Sequence, residues 1–423
     1  MKGDQFFYPN PLESYHGSSR SPWFDCACCP SNVVRFIPSI PGYIYAHRDD
    51  TLYVNLFIGG NTTIPVDGNN VHLAQETDYP WSGSIKLSVD PEQSREFTVN
   101  MRIPGWAKNE AVPSDLYRFA DTQEENITLK INGKKFEFVS RNGYAAVRRT
   151  WQKGDIVEMK LPMPVRRILP NDNIADDRHK VALQRGPIMF CAEWPDNKDG
   201  HVINLVLPDS TNLTAEYRKD LLGGVEVIRG QALPTRRTLD GKVATGSAQD
   251  FTAIPYYAWS HRGEGAMEVW QAREPDAAKP LPSPTIAGMS KVTISGEDNG
   301  DAINDQFEPK NSNDQPVPFV HWWPHKGTVE WVQYDFKEPA KISSMDIYWF
   351  DDTGVGECRV PQSWRAYYRE GGEWKPIPDV KTYGVEKDRY NSVTFSPIVT
   401  DGVKIEIQCQ KDFSTGLFEW KVE

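Results

Sequence analysis

Three of the chain's six cysteines fall within four positions, as Cys26-Ala27-Cys28-Cys29, and Pro30-Ser31-Asn32 follows directly. Thiols crowded this closely repel one another once ionised, so they stay deprotonated only beside a cation or a positively polarised helix end. The sequence offers both. Ser31 reads as the N-cap of a helix that carries Val33, Val34, Ile37 and Ile40 on one face, which sets Cys29 near its positive end. Adjacent cysteines, together with Cys26, are also soft ligands for one zinc ion. The spacing matches no usual zinc-finger pattern and no second Cys/His pair follows, so a metal here takes its other ligands from elsewhere. Buried, inert thiols are the plain alternative. Cys191, Cys358 and Cys409 stand singly in strand-like stretches and read as small core residues.

Other residues could do chemistry. His321-Trp322-Trp323-Pro324-His325 offers Trp322 and Trp323 as a platform for a sugar ring, with core packing as the alternative. Pro324 excludes a regular helix there, so the two histidines share no helical face. Glu297-Asp298-Asn299-Gly300-Asp301, with Asn304-Asp305, forms an oxygen-rich stretch suited to calcium or, more plainly, a solvated acidic turn. His16 is a lone loop histidine. Glu13 is the only glutamate upstream of the cysteines, and no motif gives it a role.

These residues must be held by elements that the periodicity outlines. Pro38 and Pro41 end the first helix within about two turns. From Thr51 the pattern changes to alternation, with strands over 52–58, 84–89, 96–103 and 127–131, a hairpin turn at Asn132-Gly133, and a further strand from Trp151. Residues 46–166 read as one β-sandwich, with 255–272 as a stretch that returns to complete it, and 167–254 as a second. Four prolines in the eleven residues from Glu274 to Pro284 mark a linker over 273–288. Residues 289–423 form one compact all-β domain, with strict alternation at 328–336, 344–350 and 403–409.

Composition sets outer bounds. Length alone, 423 residues, gives two to four domains. With 47 Lys+Arg against 58 Asp+Glu the net charge is −11 and the pI about 5.4, which is no nucleic-acid-binding profile. No apolar run approaches the roughly 18 residues of a membrane-spanning helix. The first residues lack a signal-peptide core, so the protein is expected to be cytoplasmic or to lack its true start. The 14 Trp and 17 Tyr suit both sandwich cores and sugar stacking.

The segment 21–36, with its Cys28-Cys29-Pro30-Ser31-Asn32, resembles the Cys-Cys-Pro-x-Asn motif of glycoside hydrolase family 127, and Leu183-Gln-Arg-Gly-Pro187 is similar to a segment of that family's sandwich region. Residues 289–423 resemble discoidin-like (F5/8 type C) modules, through segments such as 330–336. The resemblance implies a mainly β protein: two β-sandwiches and a C-terminal discoidin-like jelly roll, preceded over residues 1–45 by the last helical remnant of an (α/α)6 catalytic barrel. It implies a retaining β-L-arabinofuranosidase acting on plant arabinose-containing glycans, with Cys28 as nucleophile and zinc ligand and Cys29 as a second zinc ligand. It assigns Cys26 no role. The family's glutamate acid/base and its Glu-x-Cys ligands would lie in a barrel upstream of this motif. The chain is thus expected to be a C-terminal part, inactive alone, with the barrel supplied by another chain in one reading. Complete members of the family are expected to be periplasmic or secreted. A non-catalytic carbohydrate-binding or scaffold protein with a vestigial cysteine cluster is the competing expectation, and related families that cleave other arabinofuranosides leave the sugar open.

Overall fold

The computed structural model describes all residues except 1–2, 16–19, 27, 123–125, 297–299 and 316. It is mainly β, and it divides into two compact units. The first comprises residues 1–234 and 245–279, the second 235–244 and 280–423.

In the first unit, a six-stranded sheet and a five-stranded sheet carry the alternating segments anticipated from residue 51 onward. Their inward positions, among them Leu52, Leu73, Leu87, Val99, Val147 and Val157, form one buried core. The period-2 pattern is the cause, since burying one face of each sheet fixes both register and core. Trp151 sits fully inside, its Nε1 donating to the Phe97 carbonyl at 3.0 Å. The hairpin turn lies where its sequence requires: Asn132 and Gly133 take φ of 52° and 76°, joining strands Thr128–Ile131 and Lys134–Phe136.

A twelve-stranded sheet follows. Strands Gln249–Pro255 and Met267–Glu268 pair with Ile188–Glu193, and Gln271–Ala272 pairs with Lys180–Arg185. Residues 255–272 therefore belong to this sheet, and the expectation that they complete the first sandwich is corrected. Both strand groups alternate equally well, so the pattern alone does not choose the partner.

The second unit is built on a seven-stranded sheet. Segments 328–336 and 344–350, read as separate strands, are one continuous strand, Val329–Phe350, whose register against Tyr390–Gln408 shifts between Asp335 and Ala340. A bulge lets one strand bend without a turn. Tyr334 and Trp420 stack at 4.2 Å in its core. Residues 273–288 are no free linker. Leu281 and Arg236 form a parallel bridge, Arg237 N donates to the Leu281 carbonyl, and Ser283 Oγ donates to the Thr238 carbonyl. Proline-rich composition argues against regular structure without arguing against docking.

Candidate active site

The cysteines stand at the end of an N-terminal segment fastened to the first unit's large sheet. Phe6 and Ser21 pair as an antiparallel bridge, and Glu13–Ser14 pairs with Met267–Glu268. Phe7 stacks on Trp259 with ring centroids 4.5 Å apart. The Arg20 guanidinium covers the Phe7 ring and donates to the carbonyls of Tyr257 and Trp259. The helix that follows runs Cys28–Phe36, beginning three residues before the expected N-cap. Ser31 lies inside it, and its Oγ donates back to the Cys28 carbonyl at 3.0 Å, as does Asn32 Nδ2 at 2.9 Å. Pro30 is tolerated because the first turn's N–H groups have no intrahelical acceptors. Val33, Val34 and Ile37 are all exposed, and Pro30 is the helix's buried residue.

This start places Cys28 at the helix N-terminus, where the dipole favours a thiolate. Its Sγ lies 3.6 Å from the Tyr8 hydroxyl, 3.8 Å from Cys26 Sγ and 3.9 Å from Cys29 Sγ. The Cys28 thiol is held below its usual pKa, first by the Tyr8 hydroxyl, then by the two neighbouring thiols. Cys29 is pushed up, chiefly by Cys28, and Tyr8 is raised by both Cys28 and Cys26. Of these two adjacent thiols Cys28 is the one poised to ionise first, and it is solvent-exposed. Tyr8 had no motif to reveal it, because its part depends on the 6–21 bridge folding the segment back on itself.

A tetrahedral zinc with thiolate bonds of ~2.3 Å separates its sulfurs by about 3.8 Å. The Cys28–Cys29 separation fits that edge. Among the described residues no group of three or more His, Cys, Asp and Glu side chains is arranged to hold a metal ion. Glu13 is occupied elsewhere, in an ion pair with Lys279.

The remaining candidates separate. Cys191, Cys358 and Cys409 are buried, as core thiols should be. Trp322 is 4% exposed and donates to the Ser295 carbonyl from within the core, so it presents no face to a sugar, which corrects that assignment. Trp323 is 55% exposed, with its Nε1 on the Glu357 carboxylate at 3.2 Å and Lys326 paired to the same carboxylate. His16 and Glu297, Asp298 and Asn299 of the acidic stretch lie outside the described residues. Asn304 spends its side-chain amide on the carbonyls of Ala287 and Ser290. Asp305 and Glu419, by contrast, are carboxyls whose pKa values are raised chiefly by burial, with Asp301 and Glu308 adding to the rise at Asp305 and Asp305 adding to that at Glu419.

Family comparisons agree with this organisation. Residues 1–42 match the β-L-arabinofuranosidase catalytic domain of GH127, 51–163 its middle domain, 165–272 the glycoside hydrolase family 127 C-terminal domain and 290–417 an F5/8 type C domain. The chain carries the middle and C-terminal domains of glycoside hydrolase family 127 behind a short match to its catalytic domain, followed by a discoidin-like module. Its relatives are named as arabinofuranosidases. The non-reducing end β-L-arabinofuranosidase of Bifidobacterium longum subsp. longum is 30% identical over 302 residues, 64% of this chain and 43% of that protein. A solved GH127 β-arabinofuranosidase is 42% identical with a TM-score of 0.63, covering 67% of this chain and 44% of its own. The GH127 β-L-arabinofuranosidase of Geobacillus stearothermophilus T6 is 40% identical with a TM-score of 0.56, covering 64% and 43%. The chain therefore spans less than half the length of these relatives. No described helix is long and apolar enough to cross a membrane.

Proposed function

We infer that this chain contributes the nucleophile of a retaining β-L-arabinofuranosidase acting on arabinose-containing plant glycans. The observation that carries the reading is the exposed Cys28 thiol at a helix N-terminus, under the Tyr8 hydroxyl and beside Cys29. The Cys28 sulfur attacks the anomeric carbon, the bond to the leaving oxygen breaks as that oxygen takes a proton, and water later displaces the sulfur with net retention. Cys28 and Cys29 would be two ligands of a zinc ion, which when bound keeps thiols deprotonated at neutral pH. We place the proton donor and the other ligands in a helical barrel portion of the enzyme, which would also cover Val33, Val34 and Ile37, whether it lies in the same polypeptide or in another chain.

The test is hydrolysis of 4-nitrophenyl β-L-arabinofuranoside. The chain alone should give no turnover. Complemented with the helical domain of a GH127 relative, it should turn over, and Cys28→Ser should abolish that activity. Turnover by the chain alone, or activity surviving Cys28→Ser, would overturn the assignment.

A second reading, a carbohydrate-binding role for the C-terminal unit, is favoured by the exposed Trp323 beside Glu357 and Lys326. In the same unit Asp305 and Glu419 are the carboxylates we assign to a calcium ion, since a divalent cation would offset the repulsion that Asp305 exerts on Glu419.

A further inference from the structure

The cysteine cluster holds a second chemistry that sugar hydrolysis does not use. Cys26 Sγ and Cys28 Sγ are 3.8 Å apart, both exposed, with the Tyr8 hydroxyl within 3.8 Å of one and 3.6 Å of the other. A disulfide bond is about 2.05 Å long, so closing the pair moves the sulfurs together by less than ~2 Å. Cys28 and Cys29 are almost as close, at 3.9 Å, yet their backbone differs. Both lie within helix Cys28–Phe36. Consecutive helical residues project their side chains about 100° apart, and a bond between them must close an eight-membered ring across a trans peptide. Cys26 lies outside the helix and is free to adjust without unwinding it. The chain's other three cysteines are buried in cores and out of reach of a polar oxidant.

We propose that Cys26 and Cys28 are a modification site that hydrogen peroxide converts to an intramolecular disulfide, with Cys26 as the resolving thiol. The steps balance. The Cys28 sulfur attacks one peroxide oxygen, the O–O bond breaks, and Cys28 sulfenic acid forms while hydroxide leaves and takes up a proton as water. Cys26 sulfur then attacks the sulfenic sulfur, the S–O bond breaks, and the departing hydroxyl takes the Cys26 proton as a second water. Two electrons pass from the two thiols to one peroxide, and a dithiol reductant reverses the change. The site rests on sulfur and backbone geometry alone, so it stands whether or not Cys28 is a glycosidase nucleophile. If it is, oxidation switches the enzyme off reversibly and shields its sulfur from further oxidation.

The experiment uses the whole chain, stripped of metal with a chelator, treated with hydrogen peroxide and weighed intact. A loss of about 2 Da, reversed by dithiothreitol, is expected. Trypsin releases all three thiols in one peptide, Ser21–Arg35, where iodoacetamide should then mark Cys29 alone. Cys29→Ala should retain the loss of mass. Cys26→Ser should abolish it and instead gain about 32 Da, as Cys28 sulfinic acid. A link mapped to Cys28–Cys29, a bond between two copies, or the same loss in Cys26→Ser would overturn the proposal.

Discussion

The Tyr8 hydroxyl lies 3.6 Å from Cys28 Sγ across twenty residues of sequence, and it is the largest influence on that thiol. Removing it should therefore move the thiol upward. In Tyr8→Phe, the pH midpoint of iodoacetamide reaction at Cys28 should rise toward that of an ordinary cysteine, and the rate at neutral pH should fall several-fold. An unchanged profile would show that the helix end and neighbouring thiols suffice.

Arg262 holds together two acids beneath the N-terminal segment, the 1%-exposed Glu193 and Asp196. Burial raises the Glu193 pKa and Arg262 opposes that rise. Arg262→Ala leaves a buried carboxylate uncompensated, which should cost ~3–5 kcal/mol in urea unfolding at pH 7. Its pKa then rises further, so the deficit should shrink on acidification as Glu193 takes up its proton. A deficit constant between pH 7 and 5 would point to lost packing instead.

In the C-terminal unit, Asp305 and Glu419 hold protons more tightly folded than unfolded. Groups raised in this way favour folding at acid pH and lose that contribution as pH rises through their folded values. The unit's Tm should fall from pH 5 to pH 7 in chelator, and calcium should restore it. Glu419→Gln, which can keep the hydrogen bond from Gln306 N, should weaken the pH dependence and abolish the calcium effect. Scanning calorimetry in calcium and in chelator reads both.

The two adjacent tryptophans should respond in opposite ways. Trp322→Ala empties a core position and should cost ~3–5 kcal/mol of stability. Trp323→Ala should leave the melting curve in place and weaken retention of the chain on immobilised arabinan in affinity electrophoresis.

Residues 273–288 should resist trypsin. Lys279 is paired with Glu13 and lies over the Tyr15 ring, and Arg273 is paired with Asp209. Gel analysis of native digests should show no early cut after Arg273, the basic residue of this stretch that is not followed by a proline. Rapid release of a C-terminal fragment would mean that these pairs open readily.

Much of this architecture was legible from local pattern. Alternation located the strands, and Asn132-Gly133 announced its turn because both residues tolerate the positive φ that a two-residue type I′ loop needs. The vicinal cysteines announced the site. What the pattern could not carry was pairing at a distance: which sheet receives 255–272, or that Tyr8 reaches Cys28. Neighbouring apolar residues such as Trp322 and Trp323 are indistinguishable until the turn around Pro324 sends one inward. Helix Cys28–Phe36 defeated the capping rule because the Ser31 hydroxyl donates back to the Cys28 carbonyl within the first turn rather than accepting from an N–H two or three residues further on.

The grouping of residues 235–244 with 280–423 bears on how such a module can be inherited or engineered. A discoidin-like domain is usually treated as a cassette, appended after the last residue of its host. Here, transplanting 280–423 alone would leave behind the stretch that bridges Leu281 and receives the Ser283 hydroxyl. A chimera that keeps the donor's stability must carry both pieces, so this host and module are no longer separable by a single cut in the gene.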